Sequence, residues 1–177
     1  MANFIQSYNL LFSDEGGWVC DKDDPGGETY RGISRKNFSK WEGWTMIDLL
    51  KKQNNFPSNL DKDQQLQEAV LSFYETNFWD KMNGDQINDQ DIAHEIFDFG
   101  INAGIVTSIT IAQMACKTEP DGVLGPQTLE ILNGVDTEIF LALFTIGKVA
   151  RYIHIVKKRP VSRKYFYGWI CRAFNEN

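Results

Sequence analysis

Apolar residues recur at helical spacing along nearly all of the 177-residue chain, and the pattern fails in one place, between Trp18 and Ile33. Such a chain has to build its core by packing amphipathic helices, with one short stretch left for anything else. Upstream of the break, Phe4, Tyr8, Leu11 and Phe12 line one face of a first helix. Continuing their spacing lands on Glu15, and Gly16 and Gly17 then stop the helix. Within the break, Asp24-Pro25-Gly26-Gly27 is a turn in which Pro fixes φ and Gly supplies positive φ, so the segment reads as an irregular loop or a short β-hairpin.

Downstream, short helices fit 34–41 and 45–52, the second opened by Thr45 with Asp48 three residues on. A longer helix fits 61–81, with Leu66, Val70, Phe73, Tyr74 and Phe78 on its apolar face, and another fits 89–103. The stretch 107–116 is apolar on most sides and reads as buried, Cys116 included. After a turn at Asp121-Gly122-Val123-Leu124-Gly125, Pro126 stands where a helix accepts its first residue. Asp136 or Thr137 caps a helix running to about 158, and a last helix fits 162–174. The expected fold class is mainly α, one compact unit with two lobes.

Charge is unevenly spread. Residues 1–144 carry 23 acidic and 10 basic side chains, a net of −13, whereas 145–177 carry 8 basic and one acidic, a net of +7. The basic segment neutralises the acidic body, or meets an anionic envelope surface, before it meets nucleic acid, since the body repels phosphate. The longest apolar run, 139–147, is nine residues against the roughly 20 of a membrane span, so stable membrane insertion is not expected. The start lacks a basic segment and a small-residue cleavage site, which predicts synthesis in the cytoplasm without a signal peptide. Three widely spaced cysteines make no disulfide framework. In His94-Glu95 the position of a second zinc-binding His is Asp98, and no Gly-rich phosphate loop is present, so neither metal nor cofactor is expected.

The end of the first helix carries the chemistry. A carboxyl on the continuation of an apolar face is partly desolvated and sits at the negative end of the helix dipole, and both effects favour its protonated form. Glu15 so placed can serve as a general acid; otherwise it is an ordinary solvated acidic residue. Asp21, Asp23, Asp24, Glu28 and the Thr29 hydroxyl follow within fourteen residues, and a second carboxylate facing the first is what glycoside hydrolysis requires. The loop lacks the twelve-residue calcium pattern with its terminal Glu.

The run Glu15-Gly16-Gly17-Trp18-Val19, then Asp23-Asp24-Pro25-Gly26-Gly27-Glu28-Thr29 and Gly32-Ile33-Ser34, resembles the signature of glycoside hydrolase family 108, phage-type N-acetylmuramidases with a lysozyme-like helical fold. Phe78-Trp79 and the motif from Phe97 to Gly104 resemble further family elements, and Asp121 to Leu129 resembles a peptidoglycan-binding segment. The resemblance implies a lysozyme-like catalytic lobe over 1–105 and a helical peptidoglycan-binding lobe over 106–177. It implies Glu15 as catalytic acid, assisted by Asp24 and Thr29, cleaving the β-1,4 bond between N-acetylmuramic acid and N-acetylglucosamine. Trp18, Tyr30, Trp79, Asp98 and Asn102 are the candidate sugar contacts, although an aromatic pair such as Phe78-Trp79 more often fills a core, and Asp98 with Asn102 equally suits a buried link to the next helix. The expected partner is the peptidoglycan glycan strand, reached after release through a holin or similar pore. The sequence departs from the family pattern at Trp18, Cys20 and Lys22, and at Arg31, where an aromatic is expected before Gly32. Two other readings stand beside the enzyme: a wall-binding, secretion-assisting protein with little turnover, and a helical nucleic-acid-binding protein acting through 148–172.

Overall fold

The computed structural model describes residues 1–12, 17–20 and 27–174. The described chain is mainly α with one small antiparallel sheet, and it falls into two units: Phe4–Asp80, and Lys81 onward joined by Met1–Asn3.

The first unit opens with helix α1 (Phe4–Phe12). Phe4 and Tyr8 are buried, and ring contacts tie the helix down: Phe4 to Trp79 at 5.8 Å, Tyr8 to Tyr74 at 6.0 Å and Phe12 to Tyr74 at 4.7 Å between centroids. The sheet follows, with β1 (Trp18–Cys20), β2 (Glu28–Tyr30) and β3 (Ile33–Ser34) in that order. Trp18 lies opposite Tyr30 and Cys20 opposite Glu28, while Tyr30 pairs with Ile33 across a two-residue turn. That turn requires positive φ at both positions, and Arg31 (φ 44°) and Gly32 (φ 78°) supply it. A side chain at Gly32 would meet the Tyr74 hydroxyl at 2.9 Å.

Helix α2 (Gly43–Leu50) packs on α3 (Gln64–Tyr74) through buried Trp44, Ile47, Leu66 and Val70. Two local expectations change here. Residues 34–41 form turns, because Ser34 belongs to β3 and its carbonyl accepts one turn's bond from Phe38 N–H at 2.9 Å. Helix α2 begins at Gly43, so Thr45 lies inside it and Asp48 turns to Arg35. The expected helix over 61–81 starts at Gln64, capped by Asp63, and passes into a π-helical turn at Glu75–Trp79 and a 3-10 turn at Asp80–Met82. There the Asn77 amide donates to the Phe73 carbonyl at 2.8 Å, and such an intrusion loosens the regular ladder.

In the second unit α4 (Gln90–Ala103) is capped by Asp89, whose carboxylate accepts from the N–H groups of Asp91 and Ile92. Helix α5 (Ile105–Ala115) packs on α4, with buried Ser108 donating to the Ile96 carbonyl at 2.6 Å. Buried Gln113 organises the 121–125 turn, donating to Asp121 and to the Val123 carbonyl and accepting from Gly122 N–H. Pro126 opens α6 (Pro126–Leu132). Asp136 caps α7 (Thr137–Lys158), and Thr137 donates to Asp89. The last expected helix divides into a 3-10 segment, Pro160–Tyr165, and α8 (Phe166–Ala173). Phe99, Phe140, Phe144 and Tyr152 form the aromatic core between α4 and α7. Cys116 is buried, which raises its thiol to about 11 and keeps it unreactive.

Candidate active site

Glu15 and Asp24 lie outside the described residues. In sequence, Glu15 stands between α1 and β1, and Asp24 between β1 and β2, so the sheet and its supports are the described frame on either side of both.

Strand alternation puts Trp18, Glu28 and Tyr30 on one face of the sheet and Val19 and Thr29 on the other. On the first face the Glu28 carboxylate, its side chain 10% exposed, collects three donors. Trp18 Nε1 donates at 2.7 Å, Arg35 at 3.0 Å and Lys51 Nζ at 2.5 Å. Burial alone would raise its pKa, but the bonds from Lys51 and Trp18 and the charges of Lys51 and Arg35 outweigh it and hold the carboxyl below its ordinary value. Glu28 is therefore a fixed anion, unsuited to donating a proton at neutral pH. Its work is to clamp: it joins β1 and β2 to α2, where Arg35 also binds Asp48 at 2.6 Å and the Trp44 carbonyl at 3.2 Å.

Trp18 is half-buried. Its indole N–H is taken by Glu28, its ring meets Phe56 edge-on at 4.7 Å, and Lys51 Nζ stands 5.6 Å from its centroid. These three contacts fix the orientation of the ring. Thr29 lies on the opposite face beside Val19, which is 54% exposed.

Tyr30 and Trp79 take structural places. Tyr30 is fully buried, its hydroxyl accepting from Gln67 at 2.9 Å and donating to Asp61 at 3.3 Å. Trp79 is 1% exposed and packs on Phe4. Neither ring has a face open to a ligand, so both expectations of sugar contact are corrected. Arg31, which stands where an aromatic was expected, anchors the turn. Its carbonyl accepts from Tyr74 at 2.6 Å and its guanidinium pairs with Asp61 at 3.3 Å and reaches Tyr8. Burial pushes the Tyr8, Tyr30 and Tyr74 hydroxyls above their ordinary range, so they stay neutral: Tyr8 accepts from the Arg31 guanidinium, while Tyr30 and Tyr74 donate to Asp61 and to the Arg31 carbonyl.

In the second unit Asp98 and Asn102 do meet. Asn102 donates to the Asp98 carboxylate at 3.1 Å and accepts from Arg172 of α8 at 2.5 Å, so the pair ties α4 to α8. Burial, followed by the charge of Glu95, raises the Asp98 carboxyl above its ordinary value. Among the described residues no group of three or more His, Cys, Asp and Glu is arranged to hold a metal ion. The residues that sequence reasoning missed are Arg35 and Lys51, which reach Glu28 from seven and 23 positions away without any local spacing signal.

Comparison with known proteins gives three findings. The model of the family described as glycosyl hydrolase 108 matches residues 8–104, more than half of the chain. A second family model, described as a predicted peptidoglycan domain, matches residues 104–174. Among solved structures, SagA of Brucella abortus superposes with a TM-score of 0.70 over 98% of this chain and 90% of its own, at 24% identity, which is a likeness of fold. No curated protein sequence matches the chain.

Proposed function

The chain belongs to the glycosyl hydrolase 108 family, and from that premise we propose that it is an N-acetylmuramidase in which Glu15 is the general acid. The family and the adjoining peptidoglycan domain support a peptidoglycan hydrolase at the coarser level. The observation that carries the finer reading is the signature run from Glu15 to Ser34, whose described strands Glu28 clamps to α2.

In this reading Glu15 protonates the glycosidic oxygen between N-acetylmuramic acid and N-acetylglucosamine as the C1–O bond breaks. Asp24 supports the positive charge that develops at C1 or activates the water that attacks there, and Thr29 orients that water. The role requires Glu15 to hold a proton, whereas Glu28 stays ionised, its carboxylate taken up by Lys51 and Arg35. Trp18 offers the stacking surface for a sugar ring. Asn102, exposed on α4 and oriented by Asp98 and Arg172, is a further candidate sugar contact. Passage to the wall through a holin or similar pore belongs to the same proposal.

The test is the chemistry of the product. Digestion of purified sacculi should release muropeptides whose reducing end is N-acetylmuramic acid. Reducing N-acetylglucosamine, or a 1,6-anhydro end formed without water, would overturn the assignment of bond and mechanism.

A further inference from the structure

Helix α7 is long and apolar enough to cross a membrane, but its inward face is packed within its own unit. Phe140, Phe144 and Tyr152 are packed there, and between them Lys148, 2% exposed, is ion-paired with Glu95 at 2.7 Å. The outward face is the unusual one. Ile139, Leu143, Ile146, Ala150 and Ile153 follow one another at intervals of four, three, four and three, and all are exposed, Ile139 by 62% and Ile146 by 64%. A solvated helix face is ordinarily polar, whereas this interval is that of a seam between two helices. Alongside runs a groove of about 580 Å³ lined by Ala142, Thr145, Val149, Ala173 and Phe174.

We propose that this face joins two copies of the chain, with their α7 helices antiparallel about a two-fold axis at Ile146. Charge selects the occupant and the direction. Asp136 and Glu138 flank the start of the stripe, and Lys157 and Lys158 lie at its end. Antiparallel packing sets Ile139 against Ile153 of the second copy and brings each acidic end to the other's basic end. Parallel packing would align like charges. An anionic lipid surface would attract the basic end but repel the acidic one. The two-fold arrangement is self-complementary, the stripe measures about 21 Å at 1.5 Å per residue, and each copy's groove lies beside it.

Sedimentation velocity over a wide concentration range tests this independently of hydrolysis. The wild type should form a concentration-dependent dimer. Ile146→Glu, at an exposed position that leaves the far-UV circular dichroism unchanged, should weaken the dimer by roughly 100-fold or more, since it sets two like charges on an apolar axis. Glu138→Lys alone and Lys157→Glu with Lys158→Glu should each weaken association, and the three together should restore it. A monomer at every concentration, a dimer indifferent to Ile146→Glu, or combined reversals that fail to restore association would each overturn the proposal. So would a monomer that floats with phosphatidylglycerol vesicles and loses that binding on Ile146→Glu, because the face would then belong to lipid.

Discussion

Replacing Glu28 with Ala removes a carboxylate on which three side chains converge. Trp18 Nε1 loses its acceptor, while Arg35 and Lys51, whose side chains are 32% and 30% exposed, resolvate and keep Asp48 at 2.6 and 3.6 Å. Bonds to charged groups are worth about 1.5–3 kcal/mol each. With two of the partners recovering most of theirs, the net loss is about 2–4 kcal/mol, which lowers Tm by roughly 5–15 °C in a chain of this size. The pH dependence has a definite sign. The folded-state pKa of Glu28 is lowered, so its contribution is complete above the ordinary glutamate value of about 4.3 and fades as pH falls through the folded value. Thermal unfolding followed by near-UV circular dichroism should show a wild-type to Glu28→Ala gap that is flat from pH 8 to 5 and closes in acid. Glu28→Gln, which keeps an acceptor for Trp18 but no charge, should lose about half as much. A gap that persists unchanged in acid, or a variant as stable as the wild type, would refute the clamp.

Gly32→Ala places a Cβ at φ 78° and 2.9 Å from the Tyr74 hydroxyl, disturbing that group's bond to the Arg31 carbonyl; urea unfolding should show a loss of about 2–3 kcal/mol. Asp98, its pKa raised by burial, favours the fold while protonated and loses that contribution as pH rises, so Asp98→Asn should raise Tm at pH 7 and change it little near pH 3. Lys148→Met leaves the Glu95 carboxylate, 13% exposed, without this cation, and should cost about 3–5 kcal/mol by the same unfolding measurement.

Helices closed by local chemistry were legible in sequence. Asp89, Pro126 and Asp136 mark the starts of α4, α6 and α7 because a cap acts within three residues of itself. The start of α2 was not, since Glu42 makes no side-chain cap and the partner of Asp48 is Arg35, 13 positions back. The single break in helical period located the sheet, but not its turn at Arg31 and Gly32, which depends on Tyr74, 43 residues from Arg31. Aromatic residues are ambiguous for a physical reason: the same ring that stacks on sugar also fills a core, and only three-dimensional surroundings separate half-buried Trp18 from buried Tyr30 and Trp79. Glu28 was visible as an acidic residue in the right loop; its role as a fixed anion came from Lys51 and Arg35, which no spacing connects to it.

The central claim is that one proton, held by Glu15, breaks the glycan strand. Turbidity loss of purified sacculi, measured for the wild type and Glu15→Gln from pH 4 to 8 with equal folding verified by circular dichroism, tests it most directly. The account predicts clearing by the wild type and a rate lowered by about 100- to 10,000-fold in the variant, the range expected on losing a general acid. Equal clearing by both proteins, or no clearing by the wild type at any pH in that range, would contradict it.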